Sequence, residues 1–181
     1  GIFKKKFPER FFDCGIAEAN MASVAAGLAA AGQIPFISSF AMFSAGRAFE
    51  QVRNSIAYPH LNVKIVGTHA GITVGEDGAT HQCNEDIALM RTIPGMVILN
   101  PADATEARLA VKAAIEYVGP VYLRFGRMAV ETLFDDSYEF TIGKGVKMAD
   151  GTDVSIIATG LEVEQALAAR ELLAAEGISA S

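Results

Sequence analysis

The chain predicts an α/β domain with a mostly parallel sheet and helices on both faces. Three observations carry that expectation. Four short apolar runs, at residues 34–39, 62–69, 96–101 and 120–126, alternate with longer segments of helical character. These runs are apolar on both alternating sets of side chains, as in strands covered on two sides. Finally, 51% of the residues are hydrophobic and 20% charged, which suits a large core and argues against disorder.

The elements follow in order. "GIAEANMASVAAGLAAAG" (15–32) is an Ala-rich helix closed by Gly32, a residue suited to a helix stop. "IPFISS" (34–39) is a short buried strand. "SAGRAFEQVRNSIAY" (44–58) has helical period and ends before Pro59. "NVKIVGTH" (62–69) is a second strand, followed directly by the loop "HAGITVGEDGATHQ" (69–82). "CNEDIALMRTI" (83–93) is a helix stopped by Pro94-Gly95, and "MVILNP" (96–101) is a strand. "DATEARLAVKAAIEYV" (103–118) is a helix, with Asp103 as N-cap and Glu106 as its capping-box partner. "PVYLRFG" (120–126) completes the set.

After residue 140 the pattern restarts. "FTIGKGVKMADGTD" (140–153) is Gly-rich and polar, a linker or hairpin. "VSIIATG" (154–160) and "LEVEQALAARELLAAEG" (161–177) then repeat strand and helix. The expected organisation is a first domain over 1–140 and the truncated opening of a second α/β domain over 141–181.

Composition also excludes classes. The 181 residues carry a formal charge of -6 with scattered Lys and Arg, so there is no basic stripe for nucleic acid. Lys4-Lys5-Lys6 is short and terminal, a solvated end. No apolar run reaches the ~20 residues needed to cross a membrane, and the first residues lack a signal-peptide core. Two cysteines, Cys14 and Cys83, make no disulfide framework and fit a reducing, cytoplasmic setting.

In parallel sheets, ligands gather beyond the carboxyl ends of the strands. That places 40–47, 69–81, 101–103 and 124–127 on one functional edge. Within them, several residues admit two readings. Glu18, near the start of an otherwise small and apolar helix, is either a carboxylate favoured by the helix dipole or a buried acid of raised pKa that shares a proton with a ligand nitrogen. Phe40, Phe43 and Phe49 are core residues or a surface for a ring-shaped ligand. His69 and His81 are structural imidazoles of a tight turn or part of a site. Metal binding has little support: His81 and Cys83 lack CxxC or HExxH company, and "GEDG" lacks the spaced acids of a calcium loop. Neither a Walker A pattern nor GxGxxG occurs.

Four blocks, "RFFDCGIAEANMASVAAGLAAAG", "FAMFSAGRAFEQVRNSIAY", "THAGITVGEDGATHQCNEDIALMRTIPGMVILNPAD" and "YLRFGR", stand in an order and spacing that resembles the pyrimidine-binding domain of the transketolase family of thiamine diphosphate enzymes. The resemblance covers nearly all of residues 8–181, and "GEDGATHQ…IPGMVILNPAD" is its most specific part. It implies the thiamine diphosphate-binding fold. It is nearest the split type, in which an N-terminal subunit holds the diphosphate and Mg2+ through GDG followed by Asn. Here "DG" occurs only at Asp77-Gly78 and Asp150-Gly151, without the matching Asn. The resemblance therefore implies a C-terminal subunit that holds no metal itself. The family's first helix and strand are missing before "FPERFFD", so a fragment of a subunit of roughly three hundred residues is expected, against domain sizes of ~100–200.

The resemblance also implies roles. Glu18 matches the glutamate that hydrogen-bonds N1′ of the aminopyrimidine and promotes loss of the thiazolium C2 proton, the cofactor then serving as electron sink. Phe40 and Phe43 match the aromatics packed on the pyrimidine. His69 and His81 match histidines of the substrate channel, able to stabilise charge on the former carbonyl. Asp77 matches an acid that reads a sugar hydroxyl, and Arg127 an arginine that grips substrate phosphate. The implied activity is transfer of a two-carbon ketol unit between phosphorylated sugars, in a homodimer or heterotetramer with the N-terminal transketolase subunit. Two relatives in the superfamily are alternatives: 1-deoxy-D-xylulose-5-phosphate synthase and the 2-oxo acid dehydrogenase E1 β-type subunit. A non-catalytic interaction subunit that keeps the fold is a third.

Overall fold

The computed structural model describes residues 1–181. The chain opens with a short exposed helix, α1 (Ile2–Lys6), which carries the three lysines, and a 3₁₀ turn at Pro8–Arg10. There follow α2 (Glu18–Ala30), β1 (Phe36–Phe40), α3 (Phe49–Gln51), β2 (Lys64–Thr68) and α4 (Asp86–Arg91). Next come β3 (Val97–Leu99), α5 (Ala104–Glu116), β4 (Val121–Arg124) and α6 (Glu162–Ala175). The four strands form one parallel sheet in the order β1-β2-β4-β3. This is the expected α/β architecture.

The central strands β2 and β4 are buried on both faces, whereas β1, expected as a buried strand, is an edge strand that leaves Phe36 and Ser38 exposed; alternation divides the side chains between two cores. Ile65, Ile98 and Tyr122 face one side, where α2, the helical segment after β1 and Met90 of α4 close the larger core. Val66, Val97, Leu99, Val121 and Leu123 face the other, beneath Ala110 and Ala114 of α5. Alanines line both helices where they meet strands, so the layers approach closely. Helix α2 ends as expected: Gly32 takes φ +87 and its amide bonds the Ala29 carbonyl.

Several elements differ from expectation. The helix expected at 44–58 is two π-helical segments, Met42–Arg47 and Val52–Ala57, separated by the single turn α3. Its i→i+5 bonds include Ala48 to Phe43 and Tyr58 to Arg53. Asp103 does cap α5, accepting from the Glu106 amide at 2.7 Å, but the Glu106 carboxylate returns to the Ala102 amide rather than to Asp103. The box is thus displaced by one residue, and the other Asp103 oxygen accepts from the amides of Leu133 and Phe134.

Residues 154–160 do not form the expected strand. Their only ladder contact is a single parallel bridge between Val154 and Ala180, and a strand needs a continuous partner. Nor do residues 140–153 make a hairpin; Phe140 and Ile142 instead pack onto the core under α5. The expected helix after them is α6.

Candidate functional site

Phe40 is the last residue of β1, and the parallel register sets it beside Thr68, the last residue of β2. His69 follows Thr68 at φ +56, a turn that swings its imidazole back over the strand ends. The Phe40 and His69 rings stack with centroids 3.9 Å apart. Phe43, in the first π-helical segment, lies nearly parallel to Phe40 at 6.2 Å. His81 closes the group from the far end of the loop, edge-on to Phe40 at 5.9 Å and to Phe43 at 5.3 Å. Four rings separated by up to 41 residues thus make one wall at the carboxyl edge of the sheet.

The loop between the histidines is closed at its base. Gly71 and Cys83 exchange backbone hydrogen bonds of 2.7 and 3.1 Å, and the Ala70 amide bonds the Phe125 carbonyl. Each imidazole is tethered through Nδ1 to the hydroxyl of the preceding threonine: His69 to Thr68 at 3.0 Å, His81 to Thr80 at 2.9 Å. In both rings Nε2 makes no hydrogen bond.

Glu18 begins α2 and is buried, with its side chain 8% exposed. One oxygen accepts from Arg47 Nη1 at 2.8 Å and the other from the Ser39 hydroxyl at 3.3 Å. The Arg47 guanidinium also lies 4.2 Å over the Phe43 ring, so the carboxylate adjoins the aromatic wall. Burial is the largest single influence on Glu18 and pushes its pKa up. Against it act the Arg47 hydrogen bond and charge, the α2 backbone and Ser39, and together they hold the carboxyl below its ordinary value of 4.5. Of the two readings of Glu18, this overturns the acid of raised pKa, which considered only the small apolar neighbours in sequence. The opposing cation sits 29 residues away.

Arg127 and Asp77 make no hydrogen bond or cation–π contact with the wall. Arg127 pairs with Glu76 at 3.3 Å and lies against Gly75, where a Cβ would meet its guanidinium. Asp77 is exposed at the tip of the same loop. At the corner 101–103, Asp103 is committed to capping α5 and to the amides of Leu133 and Phe134.

Beneath the loop lies a buried network that the sequence did not announce. Asp86 Oδ2 accepts from Tyr122 Oη at 2.9 Å and Arg124 Nε at 2.8 Å. Gly67 leaves room for that phenol, since a Cβ there would collide with the Tyr122 hydroxyl. Burial first, and then the Asp86 charge and hydrogen bond, push the Tyr122 pKa far up. The network joins α4 to β4 beside Cys83. Cys83 is buried, and that burial, followed by the charges of Asp86 and Glu85, raises its thiol to about 11. No cluster of three or more His, Cys, Asp or Glu side chains is placed to hold a metal ion.

Arg47, Ser39 and the two threonines were missed by sequence reasoning. The one available signal was Arg47, a cation beside positions that otherwise bury Ser44, Ala45 and Ala48.

Comparison with known proteins agrees with this geometry. Residues 1–132 match the family described as transketolase, pyrimidine binding domain, and residues 143–181 match transketolase, C-terminal domain. A transketolase C-terminal section from Methanocaldococcus jannaschii is 56% identical over 99% of this chain and 57% of its own length. A 6-deoxy-6-sulfo-D-fructose transketolase subunit from Clostridium sp. is 46% identical over 98% of this chain and 55% of its own length. The solved structure of a split-gene transketolase, as an inactive β4 tetramer, superposes with a TM-score of 0.90 at 53% identity, over 98% of this chain and 57% of that one. The chain therefore spans a little over half the length of these relatives. With the same sheet, the same family signature over more than half its residues and identities well above chance, this chain belongs to the transketolase family.

Proposed function

We propose that this chain supplies the pyrimidine-binding side of a transketolase, moving a two-carbon ketol unit between phosphorylated sugars with thiamine diphosphate. Residues 1–140 would form that side and 141–181 the start of the C-terminal domain. The observation that carries the proposal is the conjunction of a buried carboxylate, Glu18, with a wall of stacked rings at the carboxyl edge of a parallel sheet. This donor set suits a flat, nitrogen-bearing aromatic group: Phe40 and Phe43 offer faces and edges, and Glu18 offers an oxygen that can share a proton with a ring nitrogen.

When bound, thiamine diphosphate supplies a stabilised carbanion equivalent. Glu18 would orient the pyrimidine and hold a proton at its ring nitrogen. His69 and His81, fixed through Nδ1, would direct Nε2 at sugar oxygens. Arg127 would bind the substrate phosphate once released from the exposed Glu76, and Asp77 would accept from a sugar hydroxyl. The diphosphate and Mg2+ would be held by an N-terminal partner subunit. The similarity to a split-gene transketolase whose β4 tetramer is inactive supports the need for that partner.

The test is reconstitution of the full-length subunit with the diphosphate-binding chain, thiamine diphosphate and Mg2+. Sedoheptulose 7-phosphate should form from xylulose 5-phosphate and ribose 5-phosphate only when both chains are present, and E18Q should abolish it. Product from pyruvate and glyceraldehyde 3-phosphate instead would identify a synthase. A stable complex inert with both substrate pairs would identify an interaction subunit.

A further inference from the structure

The carboxylate that is to meet the pyrimidine is already engaged on both oxygens. Arg47 holds one at 2.8 Å and Ser39 the other at 3.3 Å. Arg47 cannot simply leave, because a carboxylate only 8% exposed would then stand buried without a cation. It can be exchanged, however, if a hydrogen-bond donor arrives as it departs. The two partners are built unequally for such an exchange. Glu18 is fixed at the start of α2, whereas the Arg47 side chain is 48% exposed and has a second contact at hand, the Phe43 face, 4.2 Å from its guanidinium carbon. The wider π-helical turn that carries Arg47 and Phe43 sets this geometry.

We propose that Arg47 is a positioning residue that acts as an exchangeable placeholder on Glu18: it satisfies the carboxylate while the pocket is empty and yields that oxygen to the pyrimidine nitrogen when the cofactor enters. The inference rests on the thiamine diphosphate reading of Glu18 given above. In the exchange Glu18 loses its cation and gains a ring nitrogen, and the carboxylate and nitrogen between them share one proton taken from solvent. Arg47 thus tunes how strongly the pocket holds cofactor and keeps Glu18 ionised until the cofactor is there.

The test uses the full-length chain assembled with its diphosphate-binding partner and reads binding rather than turnover. Titration calorimetry with thiamine diphosphate and Mg2+ compares wild type, R47Q, R47K and E18Q. Removing a half-exposed charge-assisted contact that must otherwise be broken should tighten binding about fivefold in R47Q, while R47K should remain close to wild type. In parallel, 13C spectra of glutamate-labelled, cofactor-free protein, with E18Q for assignment, follow the Glu18 carboxyl. Its titration should begin below the ordinary carboxylate range, move up in R47Q and stay low in R47K. Unchanged or weaker binding in R47Q would overturn the placeholder, weaker binding making Arg47 a cofactor ligand instead. An unmoved Glu18 titration would overturn it as well. Equal binding by wild type and E18Q would refute the pyrimidine reading of Glu18 separately, and absence of any cofactor binding by wild type would remove both.

Discussion

Replacing Arg124 with Met should destabilise the protein severely, and replacing Asp86 as well should recover much of the loss. Asp86 is fully buried, its Oδ1 has no partner, and its Oδ2 receives only the Tyr122 hydroxyl and Arg124 Nε. Arg124, with its side chain 16% exposed, is the only cation on the carboxylate. R124M keeps most of the apolar stem but leaves a buried charge with one neutral donor, which costs about 3–5 kcal/mol. For a chain of this length, Tm should fall by roughly 6–20 °C, at about 2–4 °C per kcal/mol. D86N added to R124M removes the stranded charge and should restore at least about 2 kcal/mol, a coupling that additive effects do not produce. Urea unfolding of wild type, both single variants and the double variant measures the cycle. An R124M loss under about 1 kcal/mol, or a double-variant loss equal to the sum of the singles, would show that Asp86 is not held as described.

Three other outcomes follow from separate features. D103A should cost about 2–3 kcal/mol in the same unfolding assay, because one side chain serves the amides of Glu106, Leu133 and Phe134; D103N should lose less. Lys64, fully buried with its ammonium on the carbonyls of Tyr117 and Gly119, has its pKa lowered by burial from 10.5 to about 8. The unfolded chain therefore binds more protons between these values, and Lys64 makes stability rise with pH from about 8 to 10.5. That component should vanish in K64M when unfolding free energies are compared at pH 7.5 and 10. Cys14 should react with a thiol reagent at pH 8, whereas Cys83, buried and raised to about 11, should react only as the protein unfolds; simultaneous labelling of both in native protein would contradict the burial.

Features set by local sequence were legible. The centres of β2 and β4, Ile65-Val66 and Val121-Tyr122-Leu123, are apolar on both alternating sets, so their strand character and double burial could be read directly. Asp103, three residues before Glu106, likewise announced its cap. What escaped depends on partners distant in sequence. The π-helical winding of 42–57 has too few turns for its period to be told from that of an α-helix. Asp86 looked like one more polar residue of a short helix until the fold brought Arg124 to it from 38 residues away. Glu18 shows the problem most plainly: its neighbours in sequence left a raised pKa open as one of two readings, while Arg47, 29 residues away, holds its carboxyl below the ordinary value. Residues 154–160 have the composition of a strand but meet only one bridging partner, and composition does not supply a ladder.

The threonine tethers on His69 and His81 have a consequence for proton traffic. A carboxylate at Nδ1 would accept only, locking each ring into one tautomer, and a backbone amide would lock it into the other. A hydroxyl can rotate, donating to a bare Nδ1 and accepting from a protonated one. Each imidazole can therefore adopt either tautomer without losing its anchor. The two rings are thus anchored by contacts that do not dictate which nitrogen carries the proton.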